Sequence, residues 1–392
     1  MSPRTRTIFV VAAVCVVAAL LVSGCAKKPA GDAVPTKAPF VIGAIFSVTG
    51  DNAPLGVPEK ETVTMLEKQI NADGGIDGHP VKVEYYDDAG KPEQAVQACQ
   101  ELLANKDVVA IVGTTLSGTS LAIAQMCQQA KMPLLSCAAS VKIVKPVQPY
   151  VFKTAQSDSL AIEQLVAHMR ANNVKTVGFI NDSNAYGSSG REQWLAHTKG
   201  TEIKTVALES FNTSDTDMTS QLTSIRGKNP DAVLCWGTNP GPAIVAQNLA
   251  RLAMKQPLYM SHGIANKQFI QLARSAAEGV VFPAGKLIVA SAIPDTDPQK
   301  ATLLEYTAAF QKEYQKPPNT FGGHAWDAFM LVRNALDEVG PDKDAIRAEV
   351  EKTKDFVGIT GVFNFSPEDH NGLTKDSFTM VRIKDGKWTL AD

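Results

Sequence analysis

The chain has 392 residues, of which 38 are Lys or Arg and 40 are Asp or Glu, so its formal net charge at neutral pH is −2. This near balance of charge gives no reason to expect a nucleic-acid partner. About 350 residues follow the amino-terminal segments, which is more than one hydrophobic core usually serves, and two lobes are therefore expected.

The first 24 residues have the features of an export signal. Two arginines precede an uncharged apolar run from residue 8 to residue 22. A run of about 15 residues is short for a membrane span of about 20, which favours a cleaved signal over a retained helix. Ser23 and Gly24 before Cys25 resemble a bacterial lipobox, which implies cleavage before Cys25 and acylation of its sulfur. An ordinary signal peptide with an accidental cysteine is the alternative.

Residues 25–39 are rich in Lys, Pro, Ala and Gly and hold almost nothing to bury, which is typical of a flexible tether. No later run of the sequence approaches the length of a membrane span. The sequence therefore predicts a soluble body outside the cytoplasm of a bacterium, held to a membrane only by a lipid on Cys25.

From Phe40 the chain alternates short β-branched runs with amphipathic stretches. Strands are predicted at 41–46, 81–86, 108–112 and 133–136, and helices at 59–71, 92–105 and 118–130. Strands separated by helices of about 10 to 15 residues predict an α/β fold with a parallel, doubly wound sheet, which binds ligands at the carboxyl ends of its strands.

The same alternation is repeated after residue 155. Helices are predicted at 159–171, 187–199, 218–227 and 242–253, and strands at 176–180, 202–208, 232–236 and 258–260. Two later helices, at 302–314 and 325–339, are expected to cap the first lobe. The tail alternates like antiparallel strands at 362–365 and 378–383.

Four cysteines lie beyond Cys25, and in an oxidising compartment such thiols invite pairing. Cys99 and Cys127 fall in two consecutive predicted helices that a right-handed crossover places on one face of the sheet. A disulfide between them is one interpretation, and two buried free thiols are the other.

No catalytic motif is present. The sequence lacks a Gly-x-Ser-x-Gly elbow, a His-Glu-x-x-His helix, a phosphate loop and a Gly-x-Gly-x-x-Gly turn after the first strand. The six histidines are scattered, with no pair at metal-ligand spacing. We therefore expect neither enzyme activity nor a metal or other cofactor.

Two polar turns follow adjacent predicted strands. The turn from Gly113 to Ser120 opens a helix, where backbone N–H groups, hydroxyls and the helix dipole favour a carboxylate or a phosphate. The turn from Ala138 to Ser140 follows the next strand and is expected at the same edge of the sheet. A helix N-cap alone would explain either turn. Two such turns at one edge of the sheet favour an anion site.

Several stretches together resemble the branched-chain amino-acid-binding (leucine/isoleucine/valine-binding) family of type I periplasmic binding proteins of ABC transporters. They are 42–50, 70–78, 86–88, 113–120, 138–140, 186–187 and 230–233, and the resemblance extends from Phe40 to the carboxyl end. It implies two Rossmann-like, doubly wound lobes joined by three hinge crossovers, near 153–156, 282–287 and 356–361. Lobe 1 then comprises residues 40–154 with 286–356, and lobe 2 comprises 155–285 with 357–392.

The resemblance also implies ligand contacts. The hydroxyl of Ser117, the backbone at Ala138 and the hydroxyl of Ser140 match groups that hold a ligand carboxylate, and Thr119 belongs to the same turn as Ser117. Tyr186 matches an aromatic residue that the second lobe contributes.

The other end of the site departs from the family's pattern. His262 stands where the amino-acid binders have a glutamate that pairs with the ligand's ammonium, and Thr238 and Leu55 stand where they have aromatic residues. An ammonium without an opposite charge is costly in an apolar cleft. A neutral or donor imidazole suits a carbonyl, a hydroxyl or a second carboxylate, so aromatic acids and keto acids compete with amino acids as the ligand. A loop histidine in solvent is the other interpretation of His262.

The resemblance therefore implies an extracytoplasmic solute-binding lipoprotein of an ABC importer. Its lobes would close around a small carboxylate-bearing ligand, and the closed form would be recognised by a membrane permease whose ATPase subunits supply the energy. A ligand sensor of the same fold and an enzyme are the rival classes.

Overall fold

The computed structural model describes residues 37–391. The export signal, Cys25 and residues 25–36 of the tether therefore lie outside the described residues. Within 37–391, no helix has both the length and the apolar character that crossing a membrane requires.

Lobe 1 is built on a five-stranded parallel sheet with strand order β2-β1-β3-β4-β5. Its strands are β1 (Phe40–Phe46), β2 (Val81–Asp87), β3 (Val108–Gly113), β4 (Leu134–Ser136) and β5 (Val151–Lys153). Strand β1 is apolar and buried throughout, because helices cover both faces of the sheet. Ile42 and Ala44 face one core cluster, while Val41 and Ile45 face another, as the two-residue period of a strand requires.

Three helices alternate with these strands, namely α1 (Ala53–Ala72), α2 (Pro92–Ala104) and α3 (Ser117–Gln129). Helices α2 and α3 lie side by side on one face of the sheet, and α1 lies on the other. This arrangement confirms the doubly wound α/β lobe predicted from the sequence.

Lobe 2 has a seven-stranded sheet with strand order β14-β13-β10-β9-β8-β6-β7. Its strands are β6 (Thr176–Asp182), β7 (Lys204–Phe211), β8 (Ala232–Trp236), β9 (Leu258–Met260), β10 (Val281–Gly285), β13 (Phe378–Lys384) and β14 (Lys387–Leu390). The helices α4 (Asp158–Ala171), α5 (Ala185–Thr198), α6 (Thr219–Gly227), α7 (Gly241–Arg251) and α8 (Lys267–Ala273) accompany them. Strands β6 to β10 pair in parallel, and β13 and β14 extend the sheet in antiparallel fashion.

The segment between β10 and β13 returns to lobe 1. It contains α9 (Lys300–Tyr314), α10 (Thr320–Val339), α11 (Lys343–Lys352) and the short antiparallel pair β11 (Phe356–Val357) and β12 (Val362–Phe363). Helix α10 packs along α1 and against β3. On α9, the hydroxyl of Tyr306 lies 2.8 Å from that of Thr62 on α1.

The third crossover between the lobes lies later in the chain than the predicted position near 356–361. Phe363, Phe365 and Leu373 belong to the core of lobe 1, and the chain joins the second sheet only at Phe378. Phe365 meets the edge of Phe152 on β5, with ring centroids 5.7 Å apart. Lobe 1 therefore continues beyond the predicted limit at 356, because Phe363 and Phe365 are buried in its core and not in the second sheet.

Cys99 on α2 and Cys127 on α3 lie in one core cluster, with their sulfur atoms 3.7 Å apart. Both are free thiols, as are the buried Cys137 and Cys235. The separation exceeds the length of about 2.05 Å of a disulfide bond. Of the two interpretations of Cys99 and Cys127, buried free thiols describe this structure, and the disulfide does not.

Candidate ligand-binding site

A cavity of about 370 Å³ lies between the lobes, at the carboxyl ends of their parallel strands. The turns and helix starts after β1 to β4 line it from lobe 1, those after β6 to β9 line it from lobe 2, and α10 adds two side chains. The lining residues are Asn52, Leu55, Gly90, Pro92, Thr115 to Thr119, Cys137 to Ala139, Ala155, Asn184 to Tyr186, Thr213, Thr238, His262, Gly263, Phe321 and His324. Of the residues predicted to bind the ligand, all but Ser140 are among them.

The amino terminus of α3 meets this cavity. Its N-cap residue, Leu116, supplies no side-chain cap. The N–H groups of Ser117, Gly118 and Thr119 donate to no protein acceptor among residues 37–391, and all three residues line the cavity. Unsatisfied N–H groups and the positive end of the helix dipole make such a terminus suited to an anion.

Ser117 adds a hydroxyl donor to this terminus. Its Oγ accepts a hydrogen bond from the backbone N–H of Ser140 at 3.2 Å, which leaves the hydroxyl hydrogen for an acceptor in the cavity. The other two predicted carboxylate contacts on the cavity wall use their donors internally. The Thr119 hydroxyl lies 3.0 Å from the carbonyl oxygen of Leu116, and the N–H of Ala138 donates to Ser136 Oγ at 3.1 Å.

Ser140 does not line the cavity. Its hydroxyl is buried, donates to Ser189 Oγ on α5 at 2.7 Å, and accepts a hydrogen bond from the N–H of Lys142 at 3.2 Å. Ser189 in turn donates to the buried carboxyl of Asp158. Ser140 thus links lobe 1 to lobe 2, and its hydroxyl, which the resemblance assigns to the ligand, is hydrogen-bonded to Ser189 and Lys142 here.

Tyr186 and His262 form the lobe 2 wall of the cavity. The Tyr186 hydroxyl lies 3.2 Å from His262 Nδ1, and the two rings meet edge to face. His262 is 7% exposed, which rules out the solvent-facing loop histidine. Burial lowers the pKa of His262 to about 3, and the neighbouring His324 and Lys153 reinforce this shift, so the imidazole is neutral at neutral pH. Its Nε2 is buried without a hydrogen-bond partner among the described residues.

His324 lines the cavity but was not among the predicted site residues. It lies on α10 together with Phe321, and its Nδ1 is 3.1 Å from the Thr360 hydroxyl. Burial lowers the pKa of His324 to about 3, with a smaller contribution from Lys153. His324 lies one turn into α10, far along the chain from the other site residues. No sequence motif around it marked it as a site residue.

The cavity wall contains no Asp, Glu, Lys or Arg among the described residues. Asp182 lies behind it and accepts hydrogen bonds from the Thr213 hydroxyl at 2.7 Å and from the Asn184 N–H at 3.0 Å. Asp231 is exposed and binds the backbone N–H groups of Lys175 and Thr176. Among residues 37–391, no group of three or more His, Cys, Asp or Glu side chains is arranged to hold a metal ion. The polar groups that line the cavity are therefore backbone groups, hydroxyls, side-chain amides and neutral rings.

Two α/β lobes with a shared cavity at their strand ends define a bilobed ligand-binding protein. The family model of the periplasmic binding proteins matches residues 39–387, and the chain belongs to this family. The resemblance to the branched-chain amino-acid-binding members, found in the sequence, is confirmed.

Among curated relatives, the chain is 24% identical to the Leu/Ile/Val-binding protein BraC3 of Rhizobium johnstonii over 359 residues, which cover 91% of this chain and 94% of the relative. An extracellular ligand-binding receptor from Rhodopseudomonas palustris has a similar structure, with a TM-score of 0.85, 28% identity, and coverage of 91% of this chain and 100% of that one. The isoleucine complex of the substrate-binding protein LivJ from Streptococcus pneumoniae matches with a TM-score of 0.80, 26% identity, and coverage of 90% and 99%. These likenesses agree with a solute-binding role outside the cytoplasm.

Proposed function

We propose that this chain is the solute-binding lipoprotein of an ABC importer and that it captures a small carboxylate-bearing ligand between its lobes. The observation that carries the proposal is the uncapped amino terminus of α3, where the N–H groups of Ser117, Gly118 and Thr119 and the Ser117 hydroxyl meet a cavity without charged walls. Each hydrogen bond to a charged group contributes about 1.5 to 3 kcal/mol, so three or four such bonds hold one end of a ligand without a lysine or arginine.

The far end of the cavity favours acids that carry no ammonium. Tyr186, Thr238, His262 and His324 surround it with hydroxyls and neutral imidazoles, and no carboxylate from residues 37–391 lines it. Desolvating an ammonium without a counter-charge costs several kcal/mol. Keto acids and aromatic acids leave no such charge unpaired. An amino acid of the kind named for the relatives is the second candidate, and family membership supports it.

Closure of the lobes is the step that links binding to transport. Ser140 and Ser189 already join the lobes beside the cavity, and Lys142 on lobe 1 pairs with Glu192 on lobe 2 at 2.7 Å. A ligand that contacts both α3 and the Tyr186 wall stabilises this closed arrangement over an open one. A permease then recognises the closed form, and its ATPase subunits supply the energy. The lipid on Cys25 keeps the protein near that permease.

Two matched pairs of ligands test the proposal by isothermal titration calorimetry. Benzoate and benzamide differ in the carboxylate, and 4-methyl-2-oxopentanoate and L-leucine differ in the ammonium. We expect the keto acid to bind at least about 10-fold more tightly than L-leucine, and benzoate to bind where benzamide does not. Equal binding of benzamide would contradict the carboxylate site, and tighter binding of L-leucine would contradict the amine-free ligand.

A serine variant tests the placement of the carboxylate. Ser117→Ala removes the free hydroxyl donor of the α3 terminus and should weaken binding of the keto acid by about 10-fold to about 100-fold. Ser224→Ala, on the exposed surface of α6 and remote from the cavity, is the matched control and should not change the affinity. An unchanged affinity in Ser117→Ala would show that the carboxylate lies elsewhere.

A further inference from the structure

Two carboxyl groups are buried behind the anion site of lobe 1. Glu59 on α1 and Asp88 after β2 are both fully shielded from solvent. Glu59 Oε1 and Asp88 Oδ2 have no hydrogen-bond partner among the described residues. Neither carboxyl lines the cavity, so neither is a direct ligand contact.

A short chain of hydrogen bonds joins both carboxyls to the cavity wall. Thr115, which lines the cavity in the turn before α3, is hydrogen-bonded through Oγ1 to Glu59 Oε2. The same Oγ1 accepts the backbone N–H of Ser47 at 2.9 Å. The Ser47 hydroxyl donates to Asp88 Oδ1 at 2.5 Å, and the N–H of Gly90 donates to the same oxygen at 2.9 Å.

The Thr115 hydroxyl has one hydrogen and two lone pairs, and the N–H of Ser47 occupies one lone pair. If Glu59 is ionised, it can only accept, so Thr115 must give its hydrogen to Glu59 and has none for a ligand. If Glu59 is protonated, it donates to the second lone pair of Thr115, and the Thr115 hydrogen is free to point at an acceptor in the cavity. The proton on Glu59 therefore decides whether Thr115 is a donor toward an anion.

We propose that Glu59 is a positioning residue of the anion site, which holds a proton when the ligand binds and thereby directs the Thr115 hydroxyl at the ligand's carboxylate. Capture of the anion is then linked to protonation of a buried acid that never touches it. The inference rests on the proposed function, because it requires a carboxylate at the amino terminus of α3.

Burial raises the pKa of both carboxyls, and the surroundings favour protonation of Glu59 over that of Asp88. Burial raises the pKa of Glu59 well above its ordinary value, the Thr115 hydrogen bond opposes this, and the Asp88 carboxyl adds to the rise. Asp88 receives two donors, from Ser47 and Gly90, and Glu59 has only Thr115. An ionised Glu59 would also place a like charge behind the bound anion, which further favours the protonated form.

The other titratable groups near Glu59 bring no positive charge at neutral pH. Cys137, after β4, is a buried thiol whose pKa is raised by its burial and by Glu59. On α10, which packs along α1, burial raises the pKa of Asp327 to about 7 and lowers that of His324 to about 3. On α9, burial raises the pKa of the Tyr306 hydroxyl, which keeps that group neutral. The buried amine of Lys153 on β5, whose pKa burial lowers to about 7, affects the pKa values of His262 and His324 but not that of Glu59. Among residues 37–391, no cation therefore compensates a charge on Glu59.

Infrared difference spectroscopy of the ligand-free protein tests the protonation itself. At about pH 7 the wild-type protein should show a protonated-carboxyl C=O band that Glu59→Gln lacks, since only the wild type has the Glu59 proton to report. Absence of that difference band would overturn the inference without any statement about the ligand. Near-ultraviolet circular dichroism of the variant confirms that it is folded.

Calorimetric titrations with 4-methyl-2-oxopentanoate between about pH 6 and about pH 9 test the coupling, because this ligand stays ionised over the whole range. Wild-type affinity should fall toward alkaline pH, by up to about 10-fold per pH unit above the Glu59 pKa. Glu59→Gln should remove this dependence, since its amide donates to Thr115 at every pH. Thr115→Val should lower the affinity about 10-fold and also abolish the dependence.

The outcomes separate the two proposals. A Glu59→Gln protein as weak as Thr115→Val would overturn the role of Glu59 while carboxylate binding stands. So would a flat wild-type profile over a pH range in which the Glu59 infrared band disappears. Failure of both 4-methyl-2-oxopentanoate and benzoate to bind would instead overturn the carboxylate ligand, and the coupling with it, whatever the infrared band shows.

Discussion

Burial sets the protonation of two histidines at the cavity. The pKa of His262 and that of His324 are each lowered to about 3, mainly because their charged forms are desolvated. Both rings are therefore neutral throughout the pH range in which an extracytoplasmic protein works. Each can offer one donor and one acceptor, and neither can serve as a counter-ion for a carboxylate.

These histidines should make the fold sensitive to acid. A folded pKa below the unfolded value of about 6.5 means that the unfolded chain binds more protons between about pH 6.5 and about pH 3. Their contribution to the free energy of unfolding is thus fully present above the unfolded pKa and is lost as pH falls through this window.

Urea unfolding of the wild type and of His262→Gln at about pH 7 and about pH 4 measures the effect. The variant should lose about 2 kcal/mol less stability on acidification than the wild type does, since each unit of pKa shift corresponds to about 1.4 kcal/mol. Equal losses in the two proteins would mean that His262 is already able to take up a proton in the folded state.

The sequence identified most of the cavity wall because parallel sheets place the residues after their strands at one edge. Ser117, Tyr186, Thr238 and His262 all follow predicted strands, and all line the cavity. Ser140 follows a strand as well, but the strand-end rule does not say which way a hydroxyl points, and this one points to Ser189.

Glu59 and His324 were missed for a different reason. An acid or an imidazole on an amphipathic helix is normally assigned to solvent. These two side chains are buried because α1 and α10 pack on each other, α1 packs on β1 and β2, and α10 packs on β3. Their burial is a tertiary property, and the sequence contains no local signal for it.

Among the elements, helix α1 shows how local signals mislead. It begins at Ala53, six residues before the predicted start at 59, and contains Pro58. Pro58 lacks the N–H that would donate to the carbonyl oxygen of Pro54. The loss of such a hydrogen bond normally kinks or ends a helix. Here Asn319 Nδ2, from the turn before α10, lies 3.5 Å from that Pro54 carbonyl oxygen. A partner distant in the sequence thus replaces the missing donor.

Helix α5 approaches β8 closely enough to require a glycine. A Cβ at Gly190 would lie 2.1 Å from Nε1 of the buried Trp236, which itself contacts Tyr186 in the cavity wall. Gly190→Ala should therefore destabilise the protein by about 1 to 3 kcal/mol, because a well-packed core must shift to admit the methyl group.

Gly227→Ala is the control for that variant, since a Cβ at Gly227 on α6 meets no atom within 4 Å. It should be neutral or stabilising by up to about 1 kcal/mol, as expected when alanine replaces a helical glycine. Urea denaturation measures both changes. A Gly190→Ala protein as stable as the control would mean that α5 and β8 are not packed this tightly.

At the scale of the whole molecule, the two lobes are joined beside the cavity by the hydroxyls of Ser140 and Ser189. Because Ser140 does not touch the cavity, Ser140→Ala should act through closure. We expect about 3-fold to about 10-fold weaker binding of 4-methyl-2-oxopentanoate, expressed mainly as a faster off-rate in stopped-flow tryptophan fluorescence. An unchanged off-rate would show that this contact does not stabilise the closed form.

The two-lobe architecture followed from the alternation of strands and helices, but the limits of the lobes did not. The aromatic residues Phe363 and Phe365 fit a strand of either lobe. They are assigned to lobe 1 because Phe365 packs against Phe152 and Phe363 stacks on Phe365. Both lobes contain strands and helices with the same hydrophobic pattern. The pattern alone therefore does not show where the chain crosses from lobe 1 to lobe 2 for the last time.

We expect a ligand carboxylate to bind at the amino terminus of α3 between the closed lobes. A crystal structure of the protein with bound 4-methyl-2-oxopentanoate tests it directly. Carboxylate oxygens about 3 Å from Ser117 Oγ and from the N–H groups of Gly118 and Thr119, with the keto end toward Tyr186 and His262, are the predicted result. A carboxylate at the Tyr186 and His262 wall, or outside the cavity, would rule out binding at the amino terminus of α3.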